Sequence, residues 1–370
     1  MQTCDVAVVG AGMVGVACAW ELASAGLRVT LVEPNAVGSG GTNLGYGRLA
    51  VLDDSPGQLA LTRYGLSLWN QLVEWLPAEC EYQRCGSVWV ALNEDQLAAA
   101  IQRSEVFSRE GVRNEVLDSQ QMAEAEPGLR PDSAGGLYVA DDGWLRASMA
   151  AEFLWQLALK KGAKHVRHKA TAIVEHEVRL ADGTVLHAGN IVNATGTGAA
   201  TLTPDLPLQY AKGHVLVVET PSRCVSHQVS EIAMQSVGGD EWVRFEARQN
   251  EYGEIWIGSS HQLTTTDAST QVEPKTVAAI LRRAIEMVPA IGHAKPLRSW
   301  TGIRSETPDG QPLIGRMAAQ EGVFVAAGHD AHGATAALAT AKLIVDELLL
   351  RTPAIDPTPY LTDRFTRTKA

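Results

Sequence analysis

"VAVVGAGMVGVACAWELASAGLRVTLVEPN", residues 6–35, decides how the rest of the chain is read. Val6 to Val9 is a short apolar, β-branched run, which predicts a buried strand. Gly10, Gly12 and Gly15 follow. Val14 to Ala25 carries helical spacing and stops at Gly26, a residue suited to a helix C-terminus. Leu27 to Glu33 then predicts a second strand, completing a βαβ unit. A lone Gly-x-Gly-x-x-Gly is weak evidence, but between a strand and a helix it predicts a dinucleotide site. Gly10 allows a sharp turn, Gly12 lets the backbone approach a pyrophosphate, and Gly15 lets helix and strand pack closely. The helix N-terminus faces the phosphates with N–H groups and the positive end of its dipole. Glu33, eighteen positions past Gly15, is placed to accept hydrogen bonds from ribose hydroxyls and to repel a 2′-phosphate. The turn alone leaves FAD and NAD open, since both carry an adenosine pyrophosphate.

Composition sets outer bounds. The chain has 370 residues, a length comfortable for two domains. A formal charge of −11 argues against a nucleic-acid binder, which needs a basic stripe to neutralise phosphates. The cysteines Cys4, Cys18, Cys80, Cys85 and Cys224 are scattered, with no Cys-x-x-Cys pair. That predicts no zinc or iron–sulfur site and a reduced, intracellular setting. No basic stretch precedes the first strand and no apolar run reaches membrane-spanning length, so a cytoplasmic protein is expected, or one peripheral at an inner membrane.

Outward from the first turn, Pro34–Gly47 is glycine-rich and predicts a loop. Helices are predicted at 59–76, 94–110, 120–126, 146–161, 276–287 and 334–350. Strands are predicted at 86–92, 190–194 and 323–328, with a hairpin between 170 and 187. From Lys212 the chain is rich in Val, Ile, Trp and turn residues, which predicts antiparallel strands. The expected fold is α/β: a Rossmann-like dinucleotide-binding domain (1–78, 141–208 and 301–370) with an inserted α+β substrate domain (79–140 and 209–300) containing an antiparallel sheet.

Several blocks, in order, carry a more specific likeness. They are "DVAVVGAGMVGVACAWELASAGLRVTLVE" (5–33), the loop Gly38–Gly47, "GWLRASMAAEFL" (143–154), "IVNATGTGA" (191–199), "GIRSETPDGQPLIG" (302–315) and "VFVAAGHDAHGATAALATAKLIVDEL" (323–348). Together they resemble the FAD-dependent D-amino-acid oxidase and glycine oxidase superfamily across nearly the whole chain. Within it, "GGTNLGYGRLAVLDDSPGQLALTRYGLSLW" (40–69) is most similar to flavin subunits of bacterial hydroxyproline and opine dehydrogenases.

The resemblance implies FAD as cofactor and hydride transfer from the α-carbon of an amine to the flavin, with hydrolysis of the resulting imine. For cofactor contacts it implies Gly10, Gly12, Met13, Val14, Gly15, Glu33 and Pro34, then Gly41, Thr42, Asn43, Gly45, Gly47 and Arg48. Further along it implies Ala170, Ala194, Thr195 and Gly196, and finally Gly328, His332, Gly333, Ala334 and Thr335, where the last helix begins. Arg304 falls on the arginine that pairs with the substrate carboxylate; a planar guanidinium suits two parallel hydrogen bonds. The alternative is a salt bridge from Arg304 to Glu306 or Asp309. Trp242 and Arg244 fall on a strand lining the substrate side, and His329 on the closing loop. The alternatives for these three are ordinary strand residues and a structural hydrogen-bonding histidine. His329, Asp330 and His332 make a poor metal set, and no metal is expected.

The expected reaction is oxidation of a small D-amino or secondary amino acid such as D-hydroxyproline, with partner subunits that carry electrons away. Two readings compete: a sarcosine-like N-methyl amine oxidase, and a non-catalytic flavin relay subunit.

Overall fold

The computed structural model describes residues 2–52, 54–238, 241–266 and 268–367. The chain divides into two compact units. The first comprises Met1–Tyr82, Leu145–Tyr210 and Arg304–Ala370; the second comprises Gln83–Trp144 and Ala211–Ile303.

The first unit is built on a sheet whose strands run Leu313–Arg316, Val323–Ala327, Val185–Asn193, Gln2–Val9, Val29–Val32 and Lys164–Val166 in spatial order. The opening strand pairs in parallel with Val185–Asn193 on one side and Val29–Val32 on the other, in the register Val6 to Asn190 and Val6 to Val29. Val6, Ala7, Val8 and Val9 are all buried, because helices or other chain cover both faces of a parallel sheet. This removes the polar–apolar alternation and leaves a continuous apolar run. The helix Met13–Ser24 lies beside the closing helix Gly333–Leu348 and the helix Ala147–Lys160. Small residues permit the closeness. In the helix Pro56–Leu72, a side chain at Gly65 would run into the carbonyl oxygen of Thr335, and Trp69 Nε1 donates to Ala334 O at 2.9 Å.

The second unit is a nine-stranded sheet. Its main path is Lys295–Glu306, Gln209–Glu219, Glu254–Thr264, Glu241–Gln249, Gln228–Glu231, Ser87–Ala91, Gly135–Val139 and Asn114–Asp118. Val243, Phe245 and Ala247 alternate into a core with Ile255 and Ile257, and Ile280, Ala284 and Met287 of the helix Pro274–Met287 cover it. Beneath that helix, Arg283 Nε donates to Glu231 Oε2 at 2.9 Å, both residues buried.

Several local expectations change. Pro34–Gly47 holds a short helix, Gly41–Leu44. The helix expected at 59–76 spans Pro56–Leu72, where Ser55 caps it, and continues as a tight turn over Val73–Trp75. The closing loop contains a 3₁₀ turn, Asp330–His332. The hairpin at 170–187 is a three-stranded meander whose third strand is Val185–Asn193. The inserted sheet is mixed: Gln228–Glu231 pairs in parallel with Ser87–Ala91, an arrangement only long-range packing can specify.

Candidate flavin and substrate site

The first turn is held by backbone. Gly10 has φ +101, and a Cβ there would lie 2.6 Å from the carbonyl oxygen of Ala194. Gly10 N donates to Val32 O and Ala194 N donates to Val9 O, both at 2.9 Å. A side chain at Gly15 would run into the Gly10 carbonyl. Gly12 differs. Its backbone is extended (φ −70, ψ 177), and a Cβ would meet only Thr42 Oγ1, at 3.3 Å. The backbone conformation therefore does not require glycine at Gly12, and only the Thr42 side chain would have to give way to a Cβ there. Gly12 is also the N-cap of Met13–Ser24 and supplies no capping side chain; Thr42 Oγ1 instead accepts from Met13 N at 2.9 Å.

Glu33 braces this turn. Its carboxylate accepts from Ala11 N at 3.1 Å and from Asn35 N at 2.9 Å. The glutamate thus shapes the glycine loop itself, and it keeps lone-pair capacity for another donor. Val14 is half-buried and Met13 is buried, while Pro34, Gly41, Asn43 and Gly45 are exposed. Gly47 has φ +69, and a side chain there would strike the Leu145 carbonyl, so its glycine is explained by the backbone. Arg48 follows it, half-buried. Ala170 is buried in the core of the meander. At the end of the strand Val185–Asn193, Thr195 N and Oγ1 both donate to Asn193 Oδ1, beside Ala194. Gly196 has φ +59 with open space where a side chain would go. The buried Asn193, which was not singled out from sequence, organises this corner by also donating to Ala199 O and Thr203 Oγ1.

At the closing helix, Gly328 (φ +78) lies against Thr307 and Leu208. A Cβ at Gly333 would meet only His329 Cβ, at 3.7 Å. His332 is the N-cap of Gly333–Leu348 and makes no side-chain cap. Thr335 is committed to the chain: its hydroxyl donates to Arg48 O at 3.0 Å and accepts from Ala50 N at 3.2 Å. Ala334 gives its carbonyl to Trp69.

Arg304 also lies in this unit, near the end of the strand Lys295–Glu306. Its Nε donates to Asp330 Oδ1. Neither of the acids weighed from sequence is the partner, and Asp309 pairs with Arg364 instead. The two Nη groups of Arg304 find no partner among the described residues, and they are not sealed from solvent. Asp330 sits in the left-handed region at φ +48. Burial pushes its carboxyl up, but the charges of Arg304 and His332, with hydrogen bonds from Arg304 and the Ala331 backbone, outweigh that and hold it below the usual carboxylate range. Burial likewise pushes His332 down, against the pull of Asp330 and Asp54. His329 is buried, shares a hydrogen bond with Thr340 Oγ1 at 2.9 Å, and is pushed down to about 3, by burial first and then by His332. It is a neutral, hydrogen-bonded packing residue. Among the described residues no cluster of His, Cys, Asp and Glu is arranged to hold a metal ion.

In the second unit, Trp242 stacks on His261, ring centroids 5.3 Å apart and planes 7° from parallel. Arg244 pairs with Glu246, and its guanidinium lies 5.7 Å from the ring centroids of both Trp89 and Trp242. Much of its charge is therefore answered inside the unit.

Residues 5–347 match the DAO family, described as FAD dependent oxidoreductase. The chain belongs to that family. A glycine oxidase of Geobacillus kaustophilus is 29% identical over 97% of this chain and 97% of its own length. The crystal structure of glycine oxidase from that organism superposes with a TM-score of 0.89 over 98% of this chain and 99% of that one, at 26% identity. An opine oxidase subunit of Rhizobium meliloti is 26% identical over 94% of each chain.

For an FAD-dependent oxidoreductase of the DAO family, the unexplained glycines acquire a reason. Gly12 and Gly333 each stand at the start of a helix, of twelve and sixteen residues, whose N-cap residue supplies no capping side chain; a Cβ at Gly333 would make only ordinary contact, and one at Gly12 would crowd only Thr42 Oγ1. Helix N–H groups at such positions are suited to a dinucleotide's phosphates and to the electron-rich end of a reduced flavin. Glu33 fits a ribose-bearing cofactor through its remaining acceptor capacity. The residues present fit FAD. Among the described residues, no helix is long and apolar enough to cross a membrane.

Proposed function

We propose that this FAD-dependent oxidoreductase oxidises the C–N bond of a small D-amino or secondary amino acid, D-hydroxyproline being the type of substrate expected. The observation that carries the reading is Arg304, whose two Nη groups face no partner among the described residues while Asp330 occupies Nε. An end-on guanidinium with two parallel donors is matched to a carboxylate. Bound FAD supplies the hydride acceptor. Arg304 fixes the acid end of the substrate, so one C–H bond next to nitrogen is presented repeatedly in the same orientation. The amine gives up a hydride from carbon, its nitrogen lone pair closes the C=N bond, and water then hydrolyses the imine. His329 is neutral and committed to Thr340, so it is not the base that deprotonates the amine. Likeness to a protein named as an oxidase subunit favours partner subunits that take the electrons onward.

The test is anaerobic mixing of the yellow holoenzyme with D-, L- and N-alkyl amino acids. Bleaching of flavin absorbance by a small amino acid is expected. A protein bleached by none of them, yet binding a redox partner, is a relay subunit. Formaldehyde among the products marks an N-methyl amine as the substrate instead.

A further inference from the structure

We infer that Asp330 is the positioning residue of the substrate-carboxylate site, acting through Arg304; the inference rests on the function proposed above. Three observations converge on it. Asp330 takes Nε on the side edge of the guanidinium, which breaks up the side-on pair and leaves the end-on pair of Nη groups as the paired set for a ligand. The aspartate holds a left-handed backbone conformation, φ +48, uncommon for a residue with a Cβ and best tolerated by Asp and Asn, which sets the direction of its carboxylate. Both side chains remain roughly a quarter exposed, so the pair borders accessible space and is not buried in the core.

The contact does two things. It restricts rotation of a long, flexible side chain before the ligand arrives, which reduces the entropy lost on binding. It also sets the direction of the guanidinium plane, because Nε and the side of the fork are tied to one carboxylate oxygen. The same negative charge stands next to the bound carboxylate. A substrate bearing a second acidic group on that side meets repulsion, so monocarboxylate amino acids are favoured over dicarboxylates.

The experiment uses holoenzyme and a simple monocarboxylate, propionate, which has no C–N bond to oxidise. Calorimetry gives its Kd for wild type, Asp330→Gly and Asp330→Asn. Glycine accepts the left-handed backbone without strain, so Asp330→Gly removes the carboxylate and leaves the turn. Asparagine tolerates the same conformation and keeps an oxygen acceptor for Nε. Asp330→Gly is expected to weaken propionate about tenfold, the scale of one charge-assisted hydrogen bond, with unchanged flavin content. Asp330→Asn is expected to restore most of the loss. In turnover, Asp330→Gly is expected to raise KM by a similar factor and leave kcat within about twofold, as for a lost ground-state contact. In an Arg304→Ala background, Asp330→Gly is expected to cause no further loss of binding. An unchanged propionate Kd in Asp330→Gly, with binding still abolished by Arg304→Ala, overturns the inference and spares the proposed function. Propionate binding that ignores Arg304 overturns both.

Discussion

A Cβ on Gly12, in the first unit, would meet only Thr42 Oγ1; a Cβ on Gly136, in the second, would run into the carbonyl oxygen of Trp89 and the end of Met122. The arginines differ in the same way. Arg304 gives one donor to Asp330 and keeps its two Nη groups accessible, while the buried Arg283 divides itself between Glu231 and Glu286. At Gly12 and Arg304, space and donors are left over after folding; at Gly136 and Arg283 they are consumed by it. Residues whose identity folding does not explain are the ones to assign to a ligand.

The largest test of that contrast is Gly12→Val. The protein is expected to purify colourless, because the side chain occupies the space a pyrophosphate needs. Its thermal midpoint is expected to stay close to that of wild-type apoprotein. Full flavin content by absorbance removes Gly12 from the cofactor site. Next is Arg283→Ala, which strands Glu231 in the second unit. Urea titration is expected to show a loss of about 3–5 kcal/mol, the scale for removing one partner of a buried ion pair. A loss under about 1 kcal/mol would mean that the second unit does not depend on this pair.

Arg304→Ala is expected to lower kcat/KM by roughly 10- to 100-fold, about 1.4–2.7 kcal/mol, mostly through KM. Its unfolding midpoint and flavin content are expected to change little. Unchanged kinetics would make Arg304 as structural as Arg283. Gly136→Ala inverts the prediction for Gly12: about 1–3 kcal/mol lost to overpacking, with flavin content of the folded protein retained. Loss of flavin without loss of stability would erase the distinction between the two glycines.

The smallest effect is a pH dependence in the second unit. Hydrogen bonds from Lys212 and then Gln262 hold the Glu273 carboxyl down at about 2, against an ordinary value of 4.5. A carboxyl lowered on folding stabilises the folded state fully above about 4.5 and loses that contribution as pH falls through about 2. The carboxyl is 45% exposed, so screening by solvent keeps the effect small. Glu273→Gln is expected to be slightly less stable than wild type at pH 7, with the gap closing towards pH 2. A gap that persists at pH 2 in thermal unfolding would assign the difference to packing.

How much was legible follows from distance along the chain. The strand, glycine turn, helix and second strand between residues 2 and 33 were readable because each interaction that defines them is local or one βαβ unit apart. Short strands were not read, among them Asn114–Asp118, Gly135–Val139, Lys164–Val166 and Leu313–Arg316, whose three to five residues are too few for periodicity to stand out. The helix Gly41–Leu44 hides in a glycine-rich stretch for the same reason. Among the candidate site residues, the glycines were proposed from spacing and Arg304 from its surrounding motif. Asp330 did not, because nothing in "HDAHG" says which acid turns toward an arginine 26 positions earlier.

The sequence by itself determined the βαβ turn and the α/β class. These rest on backbone conformation and nearest-neighbour periodicity, which a short stretch of chain encodes alone. Only the tertiary structure decided that Asp330 answers Arg304, that His329 is spoken for by Thr340, and that Gln228–Glu231 runs parallel to Ser87–Ala91. Such pairings depend on which distant segments burial brings together. The free energy that selects them is a property of the whole packed unit, and no single segment carries it.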